Sequence, residues 1–193
     1  MAACDDAPSP AETVAQVTHR VSVAAWRGEV DKCPSALMRE EQDLTFLKGS
    51  GGCKAPEMQQ CLALCDGGNA AACYWLAISL QEHDAPDGTV TALFRRACRL
   101  GIVSGCTNSA AAMLLPDQVS ESVQQCASAT FAKACALDDP WGCTMYAAQL
   151  AQGAGVAKDT KLALKVLEKS CKYGADDPAC IRAGELRAKL QGK

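Results

Sequence analysis

Apolar side chains recur along this chain at helical spacing. Phe94 and Cys98, Phe131 and Cys135, Leu167 and Cys171, and Cys61 and Cys65 each stand four residues apart, one turn apart on the same face of a helix. Lysines between Lys158 and Lys172 alternate with apolar positions, as on the wet side of such a helix. No segment keeps the strict alternation of a strand. The pattern predicts helices over 10–27, 34–47, 56–66, 71–82, 89–100, 105–115, 118–136, 142–152, 160–173 and 178–190, with Asp159 capping the helix that starts at Thr160. Glycines break the pattern in "KGSGGCKAP" and "QGAGVAKD".

Cysteine spacing adds the connections. Cys65/Cys73, Cys98/Cys106, Cys135/Cys143 and Cys171/Cys180 form couples whose first members lie 33, 37 and 36 residues apart, a period expected of stacked two-helix units. Three residues after each first member comes Gly68, Gly101, Asp138 or Gly174, residue types that accept the left-handed conformation ending a helix. Within one continuous helix, cysteines eight apart would be about 12 Å apart, too far to bond. A stop between them lets an antiparallel second helix bring its cysteine back, so each couple is expected to staple a corner. Four residues after each second cysteine stands Ala77, Ala110, Ala147 or Gly184, small enough for helices to approach closely. The expected fold is a single all-α domain, 10–193, after a flexible tail of residues 1–9, with the units best defined over 56–193.

Composition narrows the chemistry. The 193 residues carry a formal net charge of −3 and no long basic run, which argues against a nucleic-acid partner. No segment has the eighteen or more apolar residues of a membrane span. Thirteen cysteines against two histidines point to disulfides and an oxidising compartment: periplasmic, outer-surface or secreted. Outside the four couples remain Cys4, Cys33, Cys53, Cys61 and Cys126. Cys33 is expected to bridge to Cys53 or Cys61; Cys126 is either a free thiol or reaches back to an earlier helix. "MAACDDAPSPAE" lacks the basic start and apolar middle of a secretory signal, yet "AAC" before "DD" is similar to the end of a bacterial lipoprotein signal. Two readings stand for Cys4: a lipid anchor, or part of an ordinary polar tail.

Catalytic patterns are sparse. No serine has a lysine three residues on, there is no Gly-x-Ser-x-Gly elbow, and "GSGGCK" lacks the spacing of a phosphate loop. His19 and His83 are isolated, and neighbouring corners lie too far apart to share a zinc ion. The expectation is no metal, no cofactor and no catalytic residue.

"GAGVAKDTKLALKVLEKSCKYGADDPAC" and "LFRRACRLGIVSGCTNSAAAML" resemble the Sel-one-like repeats (SLR), cousins of the tetratricopeptide repeat, and in particular their disulfide-rich branch, the Helicobacter cysteine-rich proteins. Asn108, two residues after its cysteine, matches that consensus, whereas Trp75, Met145 and Arg182 depart from it at the same place. The resemblance implies a right-handed α/α solenoid of tetratricopeptide-like helix pairs. It also implies a non-enzymatic adaptor or scaffold of the bacterial cell envelope that binds a protein or peptide in a concave groove. It carries two alternatives: binding of a β-lactam or cell-wall peptide with slow β-lactamase activity, and neutralisation of a secreted toxin as an immunity protein. The groove face is expected to present Tyr74, Trp75, Asn108, Met145 and Arg182, one or two positions after each second cysteine, although Trp75 and Met145 equally suit the core between helices.

Overall fold

The computed structural model describes residues 8–41 and 52–192. Among them are nine α-helices and no strand: α1 (Pro10–Ser22), α2 (Met58–Asp66), α3 (Ala70–Glu82), α4 (Asp87–Arg99), α5 (Val103–Ala112), α6 (Glu121–Ala136), α7 (Pro140–Gln152), α8 (Thr160–Val166) and α9 (Pro178–Leu190). From α2 onward, neighbouring helices pack in chain order. Cys4 lies outside the described residues.

The helix starts follow from local chemistry. Ser9 and Glu12 form a reciprocal capping box at α1, and Pro10 fills the first turn, where its missing N–H costs nothing. The two hydrogen bonds from Ser9 hold the Glu12 carboxyl below its usual range. Asn69, Ser120, Asp139, Asp159 and Asp177 cap α3, α6, α7, α8 and α9 through their side chains.

Gly68, Gly101, Asp138 and Gly174 all have positive φ, from 61° to 111°, and so turn the chain between paired helices. Disulfides Cys65–Cys73, Cys98–Cys106, Cys135–Cys143 and Cys171–Cys180 close these corners, with Cα–Cα distances of 4.4–4.7 Å. At two of them the paired helices approach too closely to admit a Cβ. A Cβ on Gly105 would lie 2.7 Å from the Phe94 carbonyl oxygen, and one on Gly142 would lie 2.7 Å from Ala134 Cβ. Ala77, Ala110 and Ala147 are fully buried where small residues were expected; Gly184 is exposed, and a side chain there would meet open space. Gly155 (φ 66°) seats the α7–α8 turn on α6, because a Cβ there would come within 2.2 Å of the Gln124 backbone.

The N-terminal third departs from the sequence expectation. The helix expected over 10–27 ends at Ser22, and a 3-10 turn, Arg27–Val30, follows. Trp26 is the cause: its ring is buried and its indole N–H donates to Asp66 at 2.8 Å, so the chain bends to deliver it to α2. The helix expected over 34–47 is a 3-10 turn, Pro34–Ala36, followed by irregular chain to residue 41, and residues 42–47 lie outside the described region. Its polar groups turn to α6 instead of to each other. The Ser35 N–H donates to Thr130 Oγ1 (3.1 Å) and Lys133 Nζ donates to the Ser35 carbonyl (3.0 Å).

The remaining bridges correct the expected pairing. Cys33 bonds Cys126 rather than Cys53 or Cys61, tying that turn to α6 across 93 residues, and Cys53 bonds Cys61. At the other end, the helix expected over 160–173 tightens after Val166 into a 3-10 segment, Leu167–Cys171, which brings Leu167 and Ser170 inward. The six disulfides fit an oxidising, extracellular or periplasmic compartment. Among the described residues no helix is long and apolar enough to cross a membrane.

Candidate ligand groove

The helices that carry the second cysteine of three corners, α3, α5 and α7, share one hollow of about 930 Å³ with the chain entering α9. Tyr74 on α3 forms one end. Ser104, Thr107, Asn108 and Ala111 on α5 form the middle, and Trp141 and Met145 on α7 continue it. Lys172, Tyr173 and Asp177, at the last corner, close the far rim. The volume and the mixture of aromatic, apolar and a few polar groups suit a bound side chain or short peptide.

Three of the five residues expected on the groove face are brought together. Asn108 Nδ2 donates to the Tyr74 hydroxyl at 3.3 Å, and Met145 stands across from them on α7. The Tyr74 ring meets Trp75 and Phe94 edge-on, at 5.4 and 5.6 Å between centroids, which fixes its orientation. Burial raises the Tyr74 phenol above its ordinary pKa, so it stays neutral across physiological pH. Trp75 and Arg182 do not line the hollow. Trp75 is half-buried against the N-terminal core, and Arg182 is exposed and pairs with Glu185 on its own helix.

Neighbouring positions supply what the sequence reasoning missed. Trp141 and Ser104 stand one helical turn before Met145 and Asn108, so the i, i+4 relation to the chosen positions was the signal that could have found them. Trp141 is 41 % exposed and Tyr173 49 %, large apolar surfaces presented to solvent at the rim. Lys172 and Tyr173 follow a first cysteine rather than a second, and only the corner geometry brings them to the groove.

The floor holds Asp139. Its carboxylate is the N-cap of α7 and accepts from Gly142 N–H (3.0 Å), the Thr107 hydroxyl (2.6 Å) and the Ser104 hydroxyl (2.9 Å). It therefore joins α5 to the start of α7. Burial pushes its pKa upward, opposed by these three hydrogen bonds and, more weakly, by Lys172. No ion pair reaches it among the described residues; the Lys172 ammonium lies 3.9 Å from the Asp138 carboxylate instead.

The raised pKa has a definite sign for stability. A carboxyl that holds its proton more tightly when folded weighs against the folded state while ionised, and this penalty fades as pH falls through the folded pKa towards the unfolded value of about 3.9. Asp139→Asn keeps the cap and removes the charge. The stability of the native protein relative to Asp139→Asn is therefore expected to improve from pH 7 down to about pH 4, read by urea unfolding at a series of pH values. A constant difference would contradict it.

Among the described residues no three His, Cys, Asp or Glu side chains gather into a metal-binding group. No family model, curated protein or solved structure matches the chain.

Proposed function

We propose that this protein is a non-enzymatic peptide-binding adaptor of a bacterial cell envelope, built as a right-handed solenoid of disulfide-stapled SLR-type helix pairs. The observation that carries the reading is the groove itself. Three aromatic side chains, Tyr74, Trp141 and Tyr173, face a hollow whose central polar group, Asn108, points one amide at Tyr74 and leaves its carbonyl oxygen without a partner among the described residues. Aromatic rings give contact area at little entropic cost, and an asparagine amide matches the donor and acceptor of an extended peptide backbone.

The reading is tested with a positional-scanning library of blocked pentapeptides. The tightest binder is then titrated by calorimetry into the native protein, Trp141→Ala and Asn108→Ala, each checked for native helicity. Loss of the exposed Trp141 anchor is expected to weaken binding roughly 30-fold, the equivalent of about 2 kcal/mol, and loss of the Asn108 clamp about tenfold. Unchanged affinity in both variants would overturn the groove as the site.

A further inference from the structure

The groove's charges are unbalanced in a way that selects a ligand. Asp139 is only 5 % exposed, lines the hollow and makes no ion pair among the described residues, Lys172 acting on it weakly from a distance. Burying a carboxylate without a counter-ion is costly, and its three hydrogen bonds only partly offset this. A carboxylate offers about four acceptor positions, so one remains. Asp177 adds a second acidic group at the rim, its own side chain turned to the Ala179 N–H. The one basic residue lining the hollow is Lys172. Its ammonium is drawn aside by the Asp138 carboxylate at 3.9 Å and the Asp138 carbonyl at 3.5 Å, and lies over the Tyr173 ring at 5.7 Å. The lining thus has two acidic groups against one cation, and that cation is committed elsewhere.

Resting on the peptide reading, we propose that the groove recognises a lysine side chain of its peptide, with the ligand's ammonium seated at Asp139 and its methylene stem laid along Met145 and Trp141. The aromatic rings favour a cation electrostatically as well as by contact. Lysine fits better than arginine. Asp139 has a single acceptor position left, which suits a point donor, whereas a guanidinium fork needs two oxygens side by side.

The test uses the folded native protein and four blocked pentapeptides of one sequence, with lysine, arginine, norleucine or glutamate at the centre, titrated by calorimetry at low salt. Lysine is expected to bind at least tenfold tighter than norleucine and several-fold tighter than arginine, with glutamate weakest. Asp139→Asn is expected to abolish the lysine-over-norleucine preference while norleucine binding persists. Lys172→Gln, at the groove rim, is expected to widen the ratio of lysine to norleucine affinity two- to threefold, and a ratio that does not widen would count against the charge inference even if the Asp139 variant folds poorly. Norleucine or glutamate binding as well as lysine would overturn the charge inference and leave the peptide reading standing, and so would a lysine preference that survives Asp139→Asn. Arginine binding as tightly as lysine would overturn the point-donor assignment. Failure of every peptide to bind would overturn both.

Discussion

Complete reduction and alkylation is expected to unfold this protein. Each bridge between cysteines eight or nine residues apart removes loop-closure entropy worth about 2.5 kcal/mol from the unfolded chain, and Cys33–Cys126, spanning 93 residues, removes about 4.5 kcal/mol. Together these exceed the roughly 5–15 kcal/mol by which a domain is ordinarily stable. The helices cannot compensate alone, because many of their buried positions are alanines that remove little apolar area from water. The bridges are expected to open in order. Cys171 is exposed, whereas Cys65, Cys73, Cys98, Cys106, Cys135 and Cys143 are at most 4 % exposed, so the last corner meets an external thiolate first. Graded dithiothreitol, quenched alkylation with peptide mapping and far-UV circular dichroism read both effects. A reduced, alkylated chain that still melts cooperatively would refute the dependence on disulfides.

Phe131→Ala is expected to be the most damaging single truncation, at about 3–5 kcal/mol. Phe131 is fully buried on α6 among Ala110, Ala127, Ala111, Leu114, Met145 and Tyr146. Its nearest fully buried neighbours are alanines, which have no side-chain length with which to fill the space, so the cavity persists. Two of the surrounding residues, Ala111 and Met145, also form the groove wall, so peptide affinity is expected to fall together with stability. Leu115→Ala, at a residue 72 % exposed, is the control and is expected to cost no more than about 0.5 kcal/mol. Urea unfolding of the two variants measures the contrast; a Phe131→Ala cost below 1 kcal/mol would contradict it.

The corners were legible in the sequence because their causes are local. A cysteine, a left-handed stop three residues on and a second cysteine eight or nine residues away restrict the chain to one kind of turn, and Asp159 marks the start of α8 by its own chemistry. The region from Val23 to residue 41 was not legible, because its shape is set by distant partners: Asp66 for the Trp26 indole, Thr130 for the Ser35 amide and Cys126 for Cys33. Periodicity along the sequence cannot reveal that α6 offers partners to the backbone N–H and carbonyl of Ser35.

The candidate groove was half legible for a related reason. Counting one or two positions past the second cysteine reaches Tyr74, Asn108 and Met145, but the lining position drifts from the first of these on α3 to the second on α7. Thr144, one after Cys143, is buried against Ser170 and the Ala179 carbonyl, and a fixed count along the chain cannot follow such a rotation between successive helices. Nothing in the local sequence singled out Asp139, which caps α7. Only the approach of α5 turns it into the charged floor of a hollow.

The Cys33–Cys126 bond also dictates how the polypeptide must mature. Five of the six cystines join partners eight or nine residues apart and can form as soon as each bend emerges, but Cys33 must stay reduced until 93 further residues have been made, roughly 5–20 s at ordinary synthesis rates. During that wait Cys53, Cys61 and Cys4 are its nearest mates along the sequence, and capture by any of them strands Cys126. Errors of oxidative assembly therefore converge on one sulfur, and a disulfide isomerase acting on newly made chains would find most of its work there.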